Sequence, residues 1–468
     1  MPHLLVSAAH KSSGKTTLTI GLTRAFRDRG MVVQPFKKGP DYIDPMWLSL
    51  SSGRPCHNLD FYTSSDSEIV ESVSGYGRES DIIITEGNKG LYDGLDVRGT
   101  NSNAALAKLL RSPVVLVLDT RGTIRGLAPL VLGYQAFDTD VHIAGVILNQ
   151  VGGDRHESKM RAVMEHYTDV PVLGAVRRST GLDLTERHLG LMPSNEDEAA
   201  ESRIAGIARI VSEQVDLDGI RRAAEQAPAL PMEDFVPPVE LGKVSRDLRI
   251  GIARDAAFGF YYADDLEALA RGGADLVTVN TLEDSKLPEI DGLFIGGGFP
   301  ESLMEELEAN VALRRSVREA IEAGLPVYAE CGGLMYLSRS ITWQGEKREM
   351  VGAIHADTVM HASPRGRGYI QLEETGFCPW PSDSDASGNK PIHAHEFHYS
   401  SLENLPAETR FAYRMLRGKG IAGGMDGIVY RNVLACYAHL RNTGRHRWTR
   451  RFLSFVRDVS KSHDVGAG

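Results

Sequence analysis

Cysteine is scarce in this chain: 4 of its 468 residues are cysteines, at positions 56, 331, 378 and 436. They are widely spaced and form no CxxC pair, which excludes a disulfide framework and a zinc ribbon and suits a reducing cytoplasm. No apolar run approaches the ~18–20 residues of a membrane span, and the longest compact one covers residues 114–118. The N-terminal segment MPHLLVSAAHK lacks the basic, apolar and small-residue regions of a secretory signal. We therefore expect a cytoplasmic protein with no membrane partner.

An excess of positive charge is also missing. Lysine and arginine number 52 against 62 aspartates and glutamates, which gives a net charge of −10. This balance provides no general attraction to phosphate backbones or anionic lipids, so we expect no nucleic-acid partner. Aromatic residues make up only 7% of the chain, but 42% of it is hydrophobic, which is ordinary for a globular protein. At ~100–200 residues per domain, the length predicts two to four domains.

Alternating strand-like and helical segments define the organisation of the chain. In its N-terminal part, strands are predicted at residues 4–8, 31–36, 81–85, 113–119, 142–148 and 172–176. Several are apolar throughout, which is typical of parallel strands buried on both faces. Prolines at 228, 231, 237 and 238 mark residues 227–247 as a stiff linker. The sequence thus predicts two α/β domains, one over 1–226 and one over 248–457.

The second domain repeats the alternation of strands and helices. Its predicted strands cover residues 249–253, 275–279, 293–295 and 326–329. Apolar residues at helical spacing predict one long helix over 302–323. The polar composition of residues 381–390 predicts a mobile loop.

Gly14, Lys15, Thr16 and Thr17 lie between the first predicted strand and a helix. This is the position of a P-loop, in which backbone N–H groups and the helix N-terminus hold phosphates, a lysine reaches the β and γ oxygens, and a hydroxyl binds Mg²⁺. Ala9 replaces the first glycine of G-x-x-x-x-G-K-[ST]. The pattern favours an ATP site, with a small-residue turn of no special function as the alternative.

Two loops that follow the second and third predicted strands carry charged residues: FKKGPDYIDP over 36–45 and TEGNKGLYDG over 85–94. Ligands of doubly wound sheets lie beyond the carboxyl ends of the strands, so both loops should meet at the phosphates. Mg²⁺ ligands are expected from Thr16, Asp44 and Glu86, with Asp41 as a further acid nearby. Contacts to the γ-phosphate or to an anionic substrate are expected from Lys37, Lys38, Asp41, Tyr42, Lys89 and Tyr92. Each charge taken alone would suit a solvated surface, and it is their clustering that favours a site.

A strand that runs into a glycine-rich turn and a helix, VYAECGGLMYL over 327–337, surrounds Cys331. This is the arrangement of a nucleophile elbow with cysteine in place of serine. The helix N-terminus is expected to favour the thiolate. Backbone N–H groups of three glycines are expected to stabilise an oxyanion: Gly297, Gly298 and Gly332. A further strand is predicted over residues 433–437, and His439, which follows it, is the expected base.

A metal site is the alternative use of histidine in this domain. The segment HEFHY over 395–399 is similar to the zinc motif HExxH, but Tyr399 takes the position of the second histidine. His393 and His395 would share one face of a strand, so a metal site is the weaker hypothesis.

Nine segments, taken in order, resemble the cobyrinic acid a,c-diamide synthase family of glutamine-dependent tetrapyrrole amidotransferases. They are SSGKTTLTIGL, FKKGPDYIDP, TEGNKGLYDG, ERHLGLMP, RIGIARDAAFGFYY, DGLFIGGGFPE, YAECGGLMYLS, HEFHYS and NVLACYAHL. The resemblance covers nearly the whole chain. It implies that the first four belong to an ATP-binding P-loop domain shared with dethiobiotin synthetase, and the last five to a class I-type glutaminase domain.

The resemblance implies a carbon–nitrogen ligase that uses ATP, Mg²⁺ and glutamine to amidate acetate carboxylates, a and/or c, of a modified tetrapyrrole. In it, Cys331 would be the glutaminase nucleophile and His439 its base. By analogy with related ATP sites, Asn149 would contact adenine. Arg187 and His188 would contact the polycarboxylated macrocycle. The resemblance is compatible with a homodimer.

The chain departs from the family pattern in three segments. They are Ala9 in the P-loop, Arg441 at the place where the class I triad has a glutamate, and His393-Ala394 before the HEFHYS segment. The resemblance implies a branch that lacks this glutamate, so no third member of the Cys–His site is predicted. The substrate stays open between cobyrinate or hydrogenobyrinate and, on these departures, sirohaem or sirohydrochlorin. Two other functions also stay open: a P-loop regulatory ATPase with a degenerate glutaminase-like domain, and a cysteine hydrolase with a regulatory nucleotide domain.

Overall fold

The computed structural model describes residues 1–182, 186–187, 190–231, 247–381 and 390–466. The chain forms two compact units, Met1–Pro237 and Pro238–Gly468. Most of the predicted linker, and residues 382–389 of the predicted loop, lie outside the described residues. None of the helices in the described ranges is long and apolar enough to cross a membrane.

The N-terminal unit is a parallel sheet with helices on both faces. Its strands are β1 (His3–Ala8), β2 (Val33–Lys38), β3 (His57–Leu59), β4 (Ile82–Glu86), β5 (Val114–Asp119), β6 (Ile143–Val151), β7 (Val172–Arg177), β8 (Glu186–Arg187) and β9 (Gly190–Leu191). Its helices are α1 (Lys15–Asp28), α2 (Ile43–Ser52), α3 (Asp66–Gly77), α4 (Asn103–Leu110), α5 (Leu127–Phe137), α6 (Asp154–Tyr167), α7 (Ala200–Gln214) and α8 (Leu217–Glu225), with a 3-10 turn over Thr180–Leu182. The main sheet has the order β3-β2-β4-β1-β5-β6-β7, and its pairings are parallel.

The apolar strands of this sheet are buried on both faces, as predicted. In β1, Leu4 and Val6 belong to one core cluster, whereas Leu5 belongs to another. Because neighbouring residues of a strand point to opposite faces, a strand between two helical layers needs apolar residues throughout. The strand order places β1 beside β4, and β4 beside β2. The loops that follow these three strands therefore lie together at the carboxyl edge of the sheet.

The C-terminal unit contains a mixed sheet. Its strands are β10 (Leu248–Ala253), β11 (Phe258–Phe260), β12 (Ala274–Val279), β13 (Gly292–Ile295), β14 (Gly297–Gly298), β15 (Val327–Glu330), β16 (Ser340–Trp343), β17 (Glu346–Glu349), β18 (Asp357–Met360), β19 (Gly366–Glu374), β20 (Ile392–His398), β21 (Ser400–Glu403), β22 (Arg410–Arg417), β23 (Met425–Tyr430) and β24 (Val433–Cys436). Its helices are α9 (Ala263–Arg271), α10 (Met304–Ala309), α11 (Val311–Glu322), α12 (Gly332–Leu337) and α13 (Trp448–Gly466), with a 3-10 turn over Pro300–Leu303.

The large sheet of this unit has the order β12-β10-β13-β15-β24-β23-β22-β19-β20. The pairings from β12 to β24 are parallel, and the remaining ones are antiparallel. A smaller sheet has the order β17-β16-β18-β21, and β14 pairs with β11. Both units therefore confirm the predicted α/β fold class. Within the large sheet, β15 lies between β13 and β24, which sets the surroundings of Cys331.

The single long helix predicted over 302–323 is wrong, because the segment divides into α10 and α11 at Asn310. The side chain of Asn310 accepts a hydrogen bond from Leu313 N–H and donates to the carbonyls of Thr281 and Asp284. An asparagine in this role is an N-cap, at which a new helix begins. The apolar spacing continues across the break and therefore gives no sign of it.

Two observations bear on the predicted domain limits. Leu230, which falls in the predicted linker, packs in the core of the N-terminal unit. Helix α13 continues to Gly466, past residue 457, where the second predicted domain ends. The domain limits themselves stay a prediction.

His446 makes the stability of the C-terminal unit dependent on pH. It is buried, and its Nε2 lies 3.3 Å from Nη1 of Arg451. Burial and the positive charge of Arg451 lower the pKa of His446 to about 3. In an unfolded chain, histidine titrates near pH 6.5. The unfolded state therefore binds the proton first, and the free energy of unfolding falls as the pH drops below ~6.5 toward the folded-state pKa.

When the pH is lowered from 7 to 5, the free energy of unfolding of the C-terminal unit should fall in both the wild-type protein and the His446→Gln variant. We expect the fall to be larger in the wild-type protein, by on the order of 2 kcal/mol. Glutamine keeps an acceptor for Arg451 but does not titrate. Urea denaturation followed by tryptophan fluorescence measures this difference: Trp343, Trp380 and Trp448 lie in this unit, and the fourth tryptophan, Trp47, lies in the other unit and is the same in both proteins. Equal pH dependence in the two proteins would contradict the prediction.

Candidate active site

The segment between β1 and α1 forms the predicted P-loop. β1 ends at Ala8 and α1 begins at Lys15, with Gly14 at φ 83° just before the helix. A Cβ on Gly14 would lie 2.1 Å from Nδ2 of Asn149, so a glycine is required there. The same Nδ2 donates to the carbonyl of Ser13 at 2.8 Å. Asn149, near the end of β6, therefore holds the loop in place. The sequence predicted only an adenine contact for this residue.

The second polar atom of Asn149 is available to a ligand. Its Oδ1 is buried and has no hydrogen-bond partner within the described ranges. An amide oxygen is an acceptor, and the exocyclic amino group of adenine is a donor. The orphaned oxygen is therefore compatible with the predicted adenine contact.

Ala9 fits the P-loop without strain. Positive φ values in this loop occur at Ser12 and Gly14 and not at Ala9. The Ala9 carbonyl accepts a hydrogen bond from the hydroxyl of Tyr134 at 2.6 Å. Since the backbone at this position is ordinary, a Cβ is tolerated there. The replacement of the first P-loop glycine therefore leaves the rest of the loop intact.

Thr16, Asp44 and Glu86 meet at the start of α1. The Thr16 hydroxyl lies 2.6 Å from Glu86 Oε1 and 3.2 Å from Asp44 Oδ2. Nζ of Lys15 lies 3.2 Å from Glu86, and Nζ of Lys37 lies 3.0 Å from Glu86 and also contacts Asp44. Two ammonium groups thus face two carboxylates. The structure thus brings together residues from the ends of β2 and β4 and from the first turns of α1 and α2.

The charges of this cluster stabilise one another. Burial alone would raise the pKa of Asp44, but the ammonium groups of Lys37 and Lys15 hold it below its ordinary value. Burial would lower the pKa of Lys37, but Asp44 and Glu86 raise it above its ordinary value. Asp44 is therefore a carboxylate and Lys37 an ammonium at neutral pH.

The donor set fits Mg²⁺ bound together with a nucleotide. Oε2 of Glu86 is buried and has no hydrogen-bond partner among the described residues. In the described part of the chain, no group of three or more His, Cys, Asp or Glu side chains could hold a metal by itself. One hydroxyl and two carboxylates, from Thr16, Asp44 and Glu86, form a partial set of hard oxygen ligands. Mg²⁺ in nucleotide sites commonly completes such a set with phosphate oxygens and water.

The residues predicted to contact the substrate have different surroundings. Asp41 Oδ1 accepts the backbone N–H of residues 43 and 44 and so caps α2, and burial together with Asp44 raises the pKa of Asp41 to about 6. Tyr42 is buried. The hydroxyl of Tyr92 donates to the backbone carbonyl of residue 134 at 2.6 Å. Lys89 is exposed.

Three further residues were predicted to contact ATP or the substrate: Thr17, Arg187 and His188. Thr17 lies in the first turn of α1. Arg187 lies in β8, but its side chain is outside the described part of the structure. His188 lies outside the described residues altogether.

Lys38 was predicted together with Lys37 but has different contacts. Its Nζ donates to Oδ1 of Asn88 at 3.1 Å. Burial lowers the pKa of Lys38 to about 8, although the charge of Asp60 opposes this shift. Lys38 therefore fixes the loop after β4 and titrates closer to neutrality than an ordinary lysine.

Cys331 stands at a strained turn between β15 and α12. Its φ is 46° and its ψ −98°, outside the regions that side chains with a Cβ normally occupy. Its backbone N–H donates to the carbonyl of Cys436 at 2.7 Å, which fixes the turn beside the end of β24. Sγ lies 3.8 Å from the backbone carbonyl of Phe397. Such strain at the end of a central strand is the geometry of a nucleophile elbow.

The three glycines predicted to bind an oxyanion lie close to this turn. A Cβ on Gly332 would lie 3.0 Å from the backbone N of Gly298. A Cβ on Gly297 would lie 3.0 Å from Cε1 of His439. Strand β14 therefore lies close to both the elbow and the histidine: a side chain at Gly297 would meet His439, and one at Gly298 would meet the backbone of Ala257.

His439 is buried beside a carboxylate. Its Nδ1 lies 3.3 Å from Oε2 of Glu330, and both side chains are 3% exposed. Its ring stacks on that of His395, with 4.7 Å between centroids. The backbone N–H of His439 donates to the carbonyl of His395 at 2.8 Å. Sequence reasoning missed Glu330, because it was considered only as part of the elbow.

The helix N-terminus was expected to favour the Cys331 thiolate, and in this structure burial outweighs that effect. Burial raises the pKa of Cys331 well above its ordinary value, and the carboxylates of Glu301 and Glu330 add to the shift. The hydrogen bond from the backbone N–H of Gly332, at the start of α12, lowers the pKa of Cys331 but does not offset these effects. The thiol is therefore neutral at rest and needs a base to remove its proton.

Arg441, one of the departures in this unit, is held by neighbouring side chains. Nη2 of Arg441 lies 2.9 Å from Asp264, and the guanidinium lies 4.6 Å from the centre of the Tyr262 ring. His398 stacks on the ring of Tyr437, at 3.7 Å between centroids. The metal hypothesis for HEFHY gains no support, since no metal-binding group was found among the described residues.

Comparison with known proteins places both units. Residues 5–191 match the model of the CobQ/CobB/MinD/ParA nucleotide binding domain, and residues 249–446 match that of the CobB/CobQ-like glutamine amidotransferase domain. A "Cobyrinate a,c-diamide synthase" of Magnetococcus marinus is 44% identical over 98% of each chain. A protein of the same name from Methanosarcina acetivorans is 41% identical, over 94% of this chain and 92% of its own. Another from Archaeoglobus fulgidus is 40% identical, over 97% of each chain. With such identity across both units, this chain belongs to the cobyrinate a,c-diamide synthase family and is an amide-forming ligase that takes its nitrogen from glutamine.

Proposed function

We propose that this enzyme converts acetate carboxylates a and c of cobyrinate into carboxamides, with ATP and glutamine as co-substrates. The observation that carries the proposal is the presence on one chain of two sites of complementary chemistry: a P-loop with its carboxylate cluster, and a cysteine elbow with a buried histidine. Relatives that match over both units are named for this substrate. We also propose that activation belongs to residues 1–226 and ammonia release to residues 248–457.

Activation of the carboxylate is the task of the P-loop site. A carboxylate is a poor electrophile, so one of its oxygens attacks the γ-phosphorus of ATP, the bond to ADP breaks, and an acyl phosphate forms. Lys15 and the N–H groups at the start of α1 neutralise charge on the transferred phosphoryl group. Mg²⁺ held by Thr16, Asp44 and Glu86 would supply further positive charge at the phosphate oxygens. Asn149 holds the loop and offers its Oδ1 to adenine.

Release of ammonia is the task of the elbow. His439 takes the proton of the Cys331 thiol, and the sulfur attacks the side-chain amide carbon of glutamine. The carbon–nitrogen bond then breaks as His439 returns the proton to the leaving ammonia, and water hydrolyses the thioester to glutamate and free thiol. In this proposal the N–H groups of Gly298 and Gly332, which lie close to the elbow, stabilise the oxyanion. Because burial raises the pKa of Cys331, this route depends on the base.

The two half-reactions join when ammonia attacks the acyl phosphate. The nitrogen bonds to the carbonyl carbon, phosphate leaves, and one proton is lost. We propose that Lys89, with Arg187 and His188, binds other carboxylates of the macrocycle, and that Asp41, Tyr42 and Tyr92 shape the loops that hold them. Lys37, which pairs with Asp44 and Glu86, is better placed for the γ-phosphate than for the macrocycle.

The substrate is tested by parallel incubations of the enzyme with ATP, Mg²⁺, glutamine and one macrocycle each. Cobyrinate, hydrogenobyrinate, sirohaem and sirohydrochlorin all carry acetate carboxylates. We expect cobyrinate to yield products that are lighter by the difference between OH and NH₂ for each amide formed, detected by mass spectrometry. Conversion of sirohaem or sirohydrochlorin without conversion of cobyrinate would overturn the substrate assignment and favour the sirohaem hypothesis. The two-site mechanism would be unaffected.

A further inference from the structure

The elbow contains a carboxylate that the mechanism above does not use. In the class I triad pattern, a glutamate two residues after the histidine orients it, and this chain has Arg441 at that position. Arg441 is engaged elsewhere, since its guanidinium pairs with Asp264 and covers the ring of Tyr262. A histidine that serves as a base needs a partner at its second nitrogen, which fixes its tautomer and ring orientation. The structure provides such a partner at a different place in the chain.

Glu330 immediately precedes the nucleophile and lies at the end of β15. Its Oε1 accepts the backbone N–H of Leu440 at 2.9 Å and also contacts the hydroxyl of Tyr328. Its Oε2 lies 3.3 Å from Nδ1 of His439. The first oxygen therefore fixes the carboxylate, and the second faces the histidine. Both side chains are buried, so water does not screen the pair.

The strand pairing explains why this residue reaches the histidine. β15 and β24 are parallel neighbours, with Glu330 paired to Cys436. His439 follows β24 at the same edge of the sheet at which Cys331 follows β15. In a regular strand, neighbouring side chains point to opposite faces. Cys331 has a positive φ where the strand ends, so its side chain need not point away from that of Glu330. The nucleophile and the carboxylate, although adjacent in sequence, thus both lie at the edge where His439 is held.

We propose that Glu330 is the positioning residue of the cysteine–histidine site. Its Oε2 accepts the hydrogen of Nδ1, so that Nε2 of His439 is the unprotonated nitrogen that takes the thiol proton. Its negative charge stabilises the imidazolium that forms while Cys331 is a thiolate. The inference rests on the proposed glutaminase step. In the class I pattern the histidine is oriented by the glutamate that follows it. In this chain we assign that role to Glu330, the residue directly before the nucleophile.

Glu330→Gln tests this role because it keeps the size of the side chain. The amide oxygen can still accept from Leu440 N–H, but the amino group then faces Nδ1, which must give up its hydrogen and so become the wrong tautomer. We expect kcat for glutamate release to fall roughly 10²–10⁴-fold, as in other sites in which an amide replaces the orienting carboxylate. The glutamine KM should change by less than about threefold, because substrate binding is not the affected step. Ammonia-dependent amidation should be retained.

Glu396→Gln is the matched control, and Glu330→Asp is the second variant. Glu396 is another buried glutamate of this unit: its carboxylate holds the backbone N–H groups of Lys419 and Gly420 and lies 3.7 Å from His398. Its replacement should leave the glutaminase kcat within about threefold of the wild-type value. Glu330→Asp keeps the charge but withdraws it by one methylene, and we expect a loss smaller than that of Glu330→Gln.

Two results would overturn the assignment. One is a wild-type glutaminase kcat in Glu330→Gln or, if that variant does not fold, in Glu330→Asp. The other is a loss confined to the glutamine KM, or an equal loss in Glu396→Gln, either of which indicates a purely structural role. Failure of the proposed glutaminase step would give a different pattern, since the wild-type enzyme itself would then release no glutamate from glutamine, whereas a different macrocycle substrate would leave glutamate release unchanged.

Discussion

Cys331→Ala is expected to abolish glutamine-dependent amidation and to leave ammonia-dependent amidation intact. The thiol is needed only to release ammonia, whereas the carboxylate is activated at the P-loop, which belongs to the other compact unit of the chain. Loss of a covalent nucleophile typically costs at least ~10⁴-fold in kcat. With ammonium chloride at raised pH, where more of the ammonium is deprotonated, product formation should approach the wild-type rate. Glutamate release and product mass, followed in parallel, measure the two activities.

Cys378→Ala is the control for the removal of a thiol. Cys378 is half-buried, and its Sγ lies 3.8 Å from Nη2 of Arg451, away from the elbow. Both nitrogen sources should remain usable in this variant. His439→Ala should behave like Cys331→Ala. If Cys331→Ala still uses glutamine, or if it is folded but no longer uses ammonia, the proposed division of labour is incorrect.

Both sites were predictable in outline because each is a strand, a turn and a helix contained in one short segment. The P-loop needs Gly14 for its positive φ and close approach, and the hydroxyl and lysine follow directly. The elbow needs small residues directly after Cys331, and Gly332 and Gly333 provide them. Apolar strands buried on both faces likewise leave a local pattern. These features depend on neighbours in sequence.

The contact between Glu330 and His439 could not be predicted in this way, because it depends on the order of strands in the sheet. Nothing local indicates that β24 lies beside β15, with the whole of β16 to β23 between them in sequence. A usable signal was nevertheless present. A charged residue at the end of an apolar buried strand must find a partner. The same signal identified Glu86 at the end of β4, where the motif drew attention to it.

The protonation state of Cys331 was beyond sequence reasoning for a similar reason. The elbow pattern predicts a helix N-terminus, whose dipole favours thiolate. The pKa depends instead on burial and on Glu301, which the 3-10 turn before α10 contributes. For the pKa of Cys331, the effects of residues that are distant in sequence outweigh the effect of the local motif. The break at Asn310 has the same origin, since the carbonyls that hold its side chain come from the segment after β12.

Lys15→Ala and Glu86→Gln are expected to have the opposite profile to Cys331→Ala. Neither variant should form amide from glutamine or from ammonia at more than about one hundredth of the wild-type rate, because the acyl phosphate is not made. Lys15 is placed to reach the transferred phosphoryl group. Glu86, which is buried, faces Thr16, Lys15 and Lys37 at once. Basal glutamine hydrolysis should survive at least in part in both variants.

Lys11→Ala is the matched control, because Lys11 is an exposed lysine of the same loop and has no place in the proposed site. Its removal should leave amidation with either nitrogen source near the wild-type rate, so that a loss in Lys15→Ala cannot be ascribed to the charge of the loop alone. ATP-dependent product formation and glutamate release, measured on the same samples, separate the two half-reactions. Normal amidation by Lys15→Ala would contradict the P-loop assignment and favour a small-residue turn without function. Equal losses of amidation in Lys11→Ala and Lys15→Ala would indicate that the loop needs positive charge in general. A larger loss in Lys15→Ala is expected only if Lys15 itself reaches the phosphoryl group.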